Sequence, residues 1–428
     1  MKIAVVSGFS PLWGKNMTPD ILVREVGKSV GGGEEAMIRT SVGLAEHGHD
    51  VTLWWCGQPG EWRGVRFKSD YAPLALELVQ HQPDVIVGWS TILPFQWKGS
   101  GKDQKPALCL FAQQLNDCWS VGNWDLVDCV VSPSRNHAQQ LPRWGWKGKW
   151  TVVHNGLDPE LYGAGDKKNG IPPGFAWDMT ATPCIQPVLP WESRPLNVGY
   201  WSSPDRGLHY LLAAWPLVTA REPTARLHIF YEIDNWLASG AARNLGAYGD
   251  RARVMVNELL PRAKADPTVT FHGQVTRKML AKIQLQCRVM CYPFQPIEYT
   301  EGFCGSVNQG IAAGCHVLSA PHDALPSLYG NAVTWLPAET AEMVHVLPEA
   351  IVAALHKPPP AEAAAVGRRY TWDAAAVEME RAVQGHFDCN VELCPACNGS
   401  KEENRYDNEG EHLGVVPCPE CKPKDGEP

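Results

Sequence analysis

Short apolar runs alternate with longer amphipathic segments through most of this chain. In the first part, the pattern predicts strands at residues 3–7, 51–55 and 84–88, and a helix over 34–47. The apolar runs are continuous, which indicates strands that are buried on both faces. This alternation predicts a parallel sheet covered by helices, a Rossmann-like half.

The alternation stops and then resumes. Residues 163–195 are rich in Pro, Gly and isolated polar residues. They show neither the two-residue period of a strand nor the 3.6-residue period of a helix, which predicts an ordered-coil linker or insertion. A second alternating half follows, with predicted strands at 196–200, 226–231, 269–272 and 289–292 and a helix over 208–220. We therefore expect an α/β protein with domains at 1–180 and 190–370, a helix within 371–388 and a tail at 389–428.

Composition and charge narrow the class of protein. Of the 428 residues, 44% are hydrophobic and 20% charged, and no apolar run reaches the length of a membrane span. Residues 1–7 have no signal-peptide pattern, so we expect a cytoplasmic protein. The net charge of −8 disfavours nonspecific attraction to nucleic acid, although a local basic groove stays possible.

A turn between the apolar run 289–293 and a following helix carries candidate chemistry. Glu301 stands in this turn, and small residues at the start of the helix allow backbone N–H groups to face a ligand. This layout favours a phosphorylated ligand. The candidate binding residues of the segment are Phe303, Cys304, Gly305, Ser306 and Gln309.

Three other turns follow predicted strands. Gly31, Gly32 and Gly33 precede Glu34 at a helix start, where missing side chains allow close backbone approach to a phosphate. In the turn after residue 200, Ser203 precedes Arg206. A cation at a helix start gains nothing from the dipole, so a bound phosphate would explain Arg206. Gly273 ends a strand at the sheet edge where α/β proteins bind ligands.

The segment from Glu301 to Gln309 resembles the donor-binding signature of retaining GT-B glycosyltransferases of family 4. In that family a Glu, seven residues and a second Glu span the same turn. The resemblance implies that Glu301 lies against the transferred sugar and that Gln309 replaces the Glu that holds the ribose. An amide can still bond a ribose hydroxyl.

The resemblance covers about residues 1–387 and implies a GT-B fold, in which two Rossmann-like domains face each other across a cleft. It implies a nucleotide diphosphate sugar as donor, with Arg206 neutralising the departing diphosphate and the loop 31–34 closing over it. The backbone around Gly273 would contact the nucleobase. The helix in 371–388 is similar to the family's last helix, which crosses back onto the first domain.

One position departs from the family in the first domain. Members often place a His after the strand that corresponds to residues 108–112, where it contacts the donor sugar, and this chain has Gln113. Retaining transfer needs no protein base, since the leaving phosphate can take the acceptor proton. We expect no catalytic metal, and we expect His137 and His154 to be structural.

Three functions stay open at this point. The first is a glycosyltransferase with an unidentified acceptor hydroxyl. The others are a glycosyltransferase acting on a hydroxylated nucleobase in DNA or RNA, and an inactive nucleotide-sugar-binding protein. The nucleobase alternative is prompted by the cysteines of the tail. The inactive alternative is prompted by Gln309 and Gln113.

Four cysteines of the tail form two closely spaced pairs, twenty residues apart: Cys394, Cys397, Cys418 and Cys421. This spacing predicts a four-thiolate zinc ribbon, since each pair can give two ligands to one tetrahedral ion. A tail of this length has too little core to fold without such an ion. Acidic residues outnumber basic ones around the cysteines, which favours a structural role or a protein contact over nucleic acid.

Overall fold

The fold is seen in a computed structural model of the chain. Its described residues are 1–7, 17–20, 22, 32–69, 74–91, 107–111, 127–144, 146, 148–165, 171–177, 185–238, 251, 253–296, 299–385, 402–406 and 412–417.

The first parallel sheet lies in the N-terminal half. Among the described residues its eight strands run in the order β3-β4-β2-β1-β5-β6-β7-β8, and only the β3–β4 pair is antiparallel. The strands are β1 Lys2–Ser7, β2 Asp50–Trp54, β3 Gly60–Trp62, β4 Val65–Lys68, β5 Val85–Trp89, β6 Ala107–Phe111, β7 Cys129–Ser132 and β8 Lys149–Val152. The strands β1, β2, β5 and β7 consist largely of valines and other apolar residues and are almost completely buried. The continuous hydrophobic runs predicted β1, β2 and β5, whereas β7 was not predicted.

The second sheet is parallel throughout its described strands and runs β13-β12-β11-β14-β15-β16. This is the strand order of a dinucleotide-binding Rossmann sheet. Its strands are β11 Asn197–Tyr200, β12 Arg226–Phe230, β13 Val269–Gly273, β14 Val289–Tyr292, β15 His316–Ser319 and β16 Thr334–Trp335. The predictions of both sheets are thereby confirmed.

Helices cover the sheets. They are α1 Gly32–Glu46, α2 Leu74–His81, α3 Arg135–Ala138, α4 Leu208–Arg221, α5 Ile233–Ala238, α6 Leu260–Ala265, α7 Arg277–Gln284, α8 Gly305–Ala312, α9 Leu325–Tyr329, α10 Thr340–His356, α11 Ala363–Val366 and α12 Trp372–Val383. Within the described part of the chain, no helix has the length and apolar character that crossing a membrane requires.

The last helix returns to the first domain. The Thr371 hydroxyl caps α12 by accepting a hydrogen bond from the Ala374 amide at 3.2 Å. Trp372, Ala375 and Met379 then share one buried cluster with residues of β1 and α1. The chain therefore runs through the second domain and then returns, so that α12 packs into the core of the first domain.

The Pro- and Gly-rich segment 163–195, predicted as coil, contains regular structure in its described residues. It contains two strands, β9 Phe175–Trp177 and β10 Ile185–Pro187, which pair antiparallel. Strands of this length are too short to show a period. A second hairpin, β17 Glu402–Tyr406 with β18 His412–Pro417, lies in the tail.

Buried histidines make the fold sensitive to acid. Burial lowers the pKa of His209 to about 4, with Arg251 adding to the effect. The unfolded chain takes up this proton at higher pH than the folded one, so stability falls as pH drops from 6.5 towards 4.

We expect His209→Leu to flatten that fall. Urea unfolding should show that the variant loses less stability than the parent across this interval, by about 2–3 kcal/mol. The control is the exposed His345, whose replacement by Leu should leave the slope unchanged. Parallel curves for parent and His209→Leu would contradict the assignment.

Candidate active site

The strand order places the candidate site. In the second sheet the order reverses between β11 and β14, so the loops after these two strands diverge and leave a crevice at their carboxyl ends. The loop after β11 carries Arg206, and the loop after β14 carries Glu301. Two side chains that lie 95 positions apart in sequence, Arg206 and Glu301, therefore meet at this crevice.

A close approach of these loops depends on Gly207. Its φ of +102° lies in the left-handed region, and a Cβ built there would stand 2.2 Å from the Pro293 carbonyl oxygen. The glycine after Arg206 is therefore required for the loop after β11 to pack against the loop after β14.

Arg206 and Glu301 form an ion pair at the centre of the crevice. Nη1 of Arg206 lies 3.1 Å from Oε1 of Glu301, and the two side chains are 17% and 12% exposed. The same guanidinium donates to the Thr300 hydroxyl, approaches Asp205 with 3.3 Å between Nε and Oδ2, and lies 5.6 Å from the centre of the Phe294 ring. These contacts fix its orientation.

Burial raises the pKa of Glu301, and the positive charge of Arg206 opposes that rise. The carboxylate therefore lies in a poorly hydrated place, and Arg206 is the main group that favours its ionised form. In such surroundings charges act more strongly on a bound ligand than they do in water. The pair suits a ligand that brings both an anionic group and hydroxyl groups.

Three predicted binding glycines line open space. A Cβ built at Gly32, Gly273 or Gly305 would meet no described heavy atom within 4 Å outside its immediate neighbours. Packing inside the protein does not account for these glycines, but the left-handed φ of 66° at Gly273 itself favours glycine. Each leaves room for a ligand to approach the backbone, at the start of α1, the end of β13 and the start of α8 respectively.

The first turn of α1 contains Gly33 and Glu34 and faces the second domain. Burial raises the pKa of Glu34, whereas its own backbone hydrogen bond lowers it. The charge of Glu34 contributes to the raised pKa of Tyr231, which follows β12, although burial is the larger cause. The next residue, Glu35, pairs with Arg277 of α7, so this turn of α1 contacts the second domain.

Gln309 is oriented by a buried neighbour. Nε2 of Gln284 donates to Oε1 of Gln309 at 3.2 Å, and the Tyr162 hydroxyl donates to Oε1 of Gln284 at 2.8 Å. The carbonyl end of Gln309 is thus used inside the protein. Its amide nitrogen is the end that can donate to a ligand oxygen.

The predicted serines hold loops rather than stand free. The Ser306 hydroxyl donates to the Trp201 carbonyl at 3.1 Å, and Nε1 of Trp201 donates to the Ser306 carbonyl at 2.9 Å. The Ser203 hydroxyl donates to Asp205. These bonds tie the loop after β11 to the start of α8.

Phe303 and Cys304 hold the turn through contacts with Tyr370 and Tyr329. The Phe303 ring packs edge-on against Tyr370 at 5.3 Å and Tyr329 at 6.3 Å between ring centres. The Tyr329 hydroxyl donates to the carbonyl of Cys304 at 2.7 Å. The side chain of Phe303 therefore supports the turn, and this role was not visible in the sequence.

His137 lies against the Glu301 turn. Burial lowers its pKa to about 3, so the ring is neutral near neutral pH. A Cβ at Gly302 would stand 2.7 Å from Cδ2 of His137, so only glycine allows this approach between the domains. His154 instead lies 3.0 Å from Glu378 of α12. In the structure His137 thus packs against the Glu301 turn, and His154 pairs with α12.

Contacts between the domains were missed by the sequence analysis. The Tyr299 hydroxyl donates to Oδ1 of Asn136 at 2.8 Å, across 163 positions. Glu35 of α1 pairs with Arg277 of α7, and both side chains are largely buried. No local pattern connects residues so far apart, so no signal could have identified them.

Several sequence predictions fall outside the described residues. They are Gly31, Gln113 and the four cysteines Cys394, Cys397, Cys418 and Cys421.

Part of the chain matches a known protein family. Residues 193–357 match the family model described as Glycosyl transferases group 1. No curated protein matches the chain in sequence. The matched segment spans β11 to α10 and so includes both Arg206 and Glu301.

Solved structures share the fold over most of the chain. Sucrose-phosphate synthase from Thermosynechococcus elongatus is 16% identical over 90% of this chain and 98% of its own, with a TM-score of 0.58. A glycosyltransferase from Rickettsia africae is 12% identical over 90% and 98%, with a TM-score of 0.60. Anabaena HepE in complex with UDP and glucose is 15% identical over 90% and 100%, with a TM-score of 0.56.

The chain has an α/β GT-B fold with parallel sheets. The matched segment supports a glycosyltransferase, and the solved structures support the GT-B fold.

Proposed function

We propose that this glycosyltransferase takes a sugar from a nucleotide diphosphate donor and passes it to an acceptor hydroxyl with retention of configuration. The observation that carries the proposal is the Arg206–Glu301 pair at the switch point of the second sheet. It joins a cation suited to a diphosphate with a carboxylate suited to sugar hydroxyls.

In the proposed reaction, the bond between the anomeric carbon and the diphosphate oxygen breaks. A new bond forms from the acceptor oxygen to the same face of that carbon, and the acceptor proton passes to an oxygen of the leaving diphosphate. Arg206 neutralises the charge that develops on the diphosphate, together with backbone N–H groups at the start of α8. Glu301 bonds the transferred sugar and holds it in position.

The nucleoside would lie over the carboxyl ends of β12 to β14. Gly273 leaves room for a base beside the backbone, and the amide nitrogen of Gln309 can donate to a ribose oxygen. The loop of Gly32 and Glu34 would close over the diphosphate. Because HepE was solved with UDP and with UDP-glucose, uridine donors are the first to test.

A thermal-shift panel tests donor binding. A nucleoside diphosphate or nucleotide sugar that binds only the folded chain should raise the melting temperature by about 2–6 °C at saturating concentration. The matching free nucleoside, which lacks the phosphates, should give a smaller shift. An unchanged melting temperature with every nucleotide would contradict the proposal.

We also propose that the tail binds one structural zinc ion through Cys394, Cys397, Cys418 and Cys421. The hairpin of β17 and β18 supports this, because it pairs Glu402 with Pro417 and so brings the two ends that lead to the cysteine pairs together. Four thiolates suit tetrahedral zinc.

Metal analysis of protein purified without chelator should therefore find one zinc ion per chain. Combining Cys394→Ser with Cys397→Ser should release it while nucleotide binding persists, because α12 completes the core without the tail. The control combines Cys287→Ser with Cys315→Ser. These two cysteines are buried and lie far from the tail in sequence, so this variant should keep the metal. Protein without zinc would refute the ribbon.

A further inference from the structure

We propose that Asp323 is a positioning residue for Glu301, which rests on the role proposed above for the Arg206–Glu301 pair. Oδ2 of Asp323 accepts two backbone hydrogen bonds, from the amides of Thr300 and Glu301, each at 2.9 Å. One carboxylate oxygen thus holds two consecutive residues of the turn.

The backbone beside Asp323 adds a third bond. The amide of Ala324 donates to the carbonyl of Glu301 at 3.2 Å. The loop after β15 therefore hydrogen-bonds both the amide and the carbonyl group of Glu301. These bonds fix the backbone position from which the Glu301 side chain extends.

The conformation of Asp323 points to a role beyond packing. Its φ of 55° lies in the left-handed region, which Gly adopts without strain and which costs other residues free energy. Asp is among the residues that tolerate this region best. A glycine would relieve the backbone but would supply no acceptor, so the side chain itself accounts for Asp at this position.

The two hydrogen bonds that Asp323 accepts from the amides of Thr300 and Glu301, called the clamp below, hold both partners of Arg206 in the turn. Thr300 accepts a hydrogen bond from the guanidinium through its hydroxyl, and Glu301 forms the ion pair with it. Asp323 binds the backbone of these same two residues. Loss of the clamp should therefore displace the Glu301 carboxylate, whereas Arg206 keeps its contacts with Asp205 and Phe294.

The test compares Asp323→Gly with Asp323→Asn. Glycine relieves the left-handed backbone but removes two hydrogen bonds, so the melting temperature should fall by no more than a few degrees, whereas kcat should fall by about tenfold to a hundredfold. KM for the donor should change less, since the diphosphate and nucleoside contacts lie elsewhere. Asparagine keeps an oxygen that can accept two amide bonds, so it should restore most of the activity.

Hydrogen exchange provides a readout that does not need activity. In Asp323→Gly, the peptide containing residues 300–301 should exchange faster than in the parent and in Asp323→Asn. Unchanged exchange would overturn the clamp, and faster exchange with unchanged kcat would overturn the positioning role. A parent enzyme without turnover on any donor would instead refute the proposed function, and the exchange result would still decide whether the clamp exists.

Discussion

Glu301→Gln is expected to lower turnover by about a hundredfold or more while leaving nucleotide affinity nearly unchanged. The amide keeps the size of the side chain but loses the negative charge, which lies 3.1 Å from Arg206. In the proposed reaction this carboxylate contacts the sugar rather than the base or ribose. The loss should therefore appear in kcat much more than in nucleotide binding.

Steady-state kinetics with a nucleotide sugar, combined with calorimetry of nucleoside diphosphate binding, measures both quantities. Glu349→Gln is a matched control because it breaks another Glu–Arg pair, with Arg221 at 2.8 Å on the surface. That control should leave turnover unchanged. Equal turnover of Glu301→Gln and the parent would remove Glu301 from the site.

Arg206→Ala is expected to weaken binding of a nucleoside diphosphate by about tenfold to a hundredfold, and binding of the free nucleoside far less. The guanidinium is the cation paired with Glu301 at the crevice, and its fork matches phosphate oxygens. Because Arg206 also opposes the rise in the pKa of Glu301, its removal should lower turnover as well.

Calorimetry with the nucleoside diphosphate and with the free nucleoside measures the loss of affinity for each ligand. Arg221→Ala serves as control, since this arginine pairs with Glu349 on the surface and should not affect either ligand. Arg206→Lys retains the charge without the fork and should fall between the parent and Arg206→Ala. Equal losses for both ligands would show that Arg206 does not contact the phosphates.

The sequence was sufficient to predict several strands of each sheet and the two loops that carry Arg206 and Glu301. Buried parallel strands are continuous apolar runs, so β1, β11 and β14 were visible without any knowledge of their partners. Arg206 and Glu301 stand directly after such strands, where ligand sites form. Local composition and strand order together predict that such loops meet.

The support of the site was not predictable in the same way. Asp323 holds Glu301 across a strand and a helix, and Tyr299 bonds Asn136 of the other domain. Such contacts depend on the packed structure, and a single sequence carries no period or motif for them. The orientation of Gln309 by Gln284 belongs to the same class, because an amide has no sequence signature for its direction.

The most direct test of the central claim is release of nucleoside diphosphate from a panel of nucleotide sugars, followed by chromatography and mass spectrometry. The parent protein should hydrolyse or transfer at least one donor, and the nucleoside diphosphate released should equal the sum of free sugar and glycosylated acceptor. Glu301→Gln should release much less under the same conditions. A parent protein that binds a nucleotide sugar yet releases no diphosphate, with or without acceptor hydroxyls, would contradict the account.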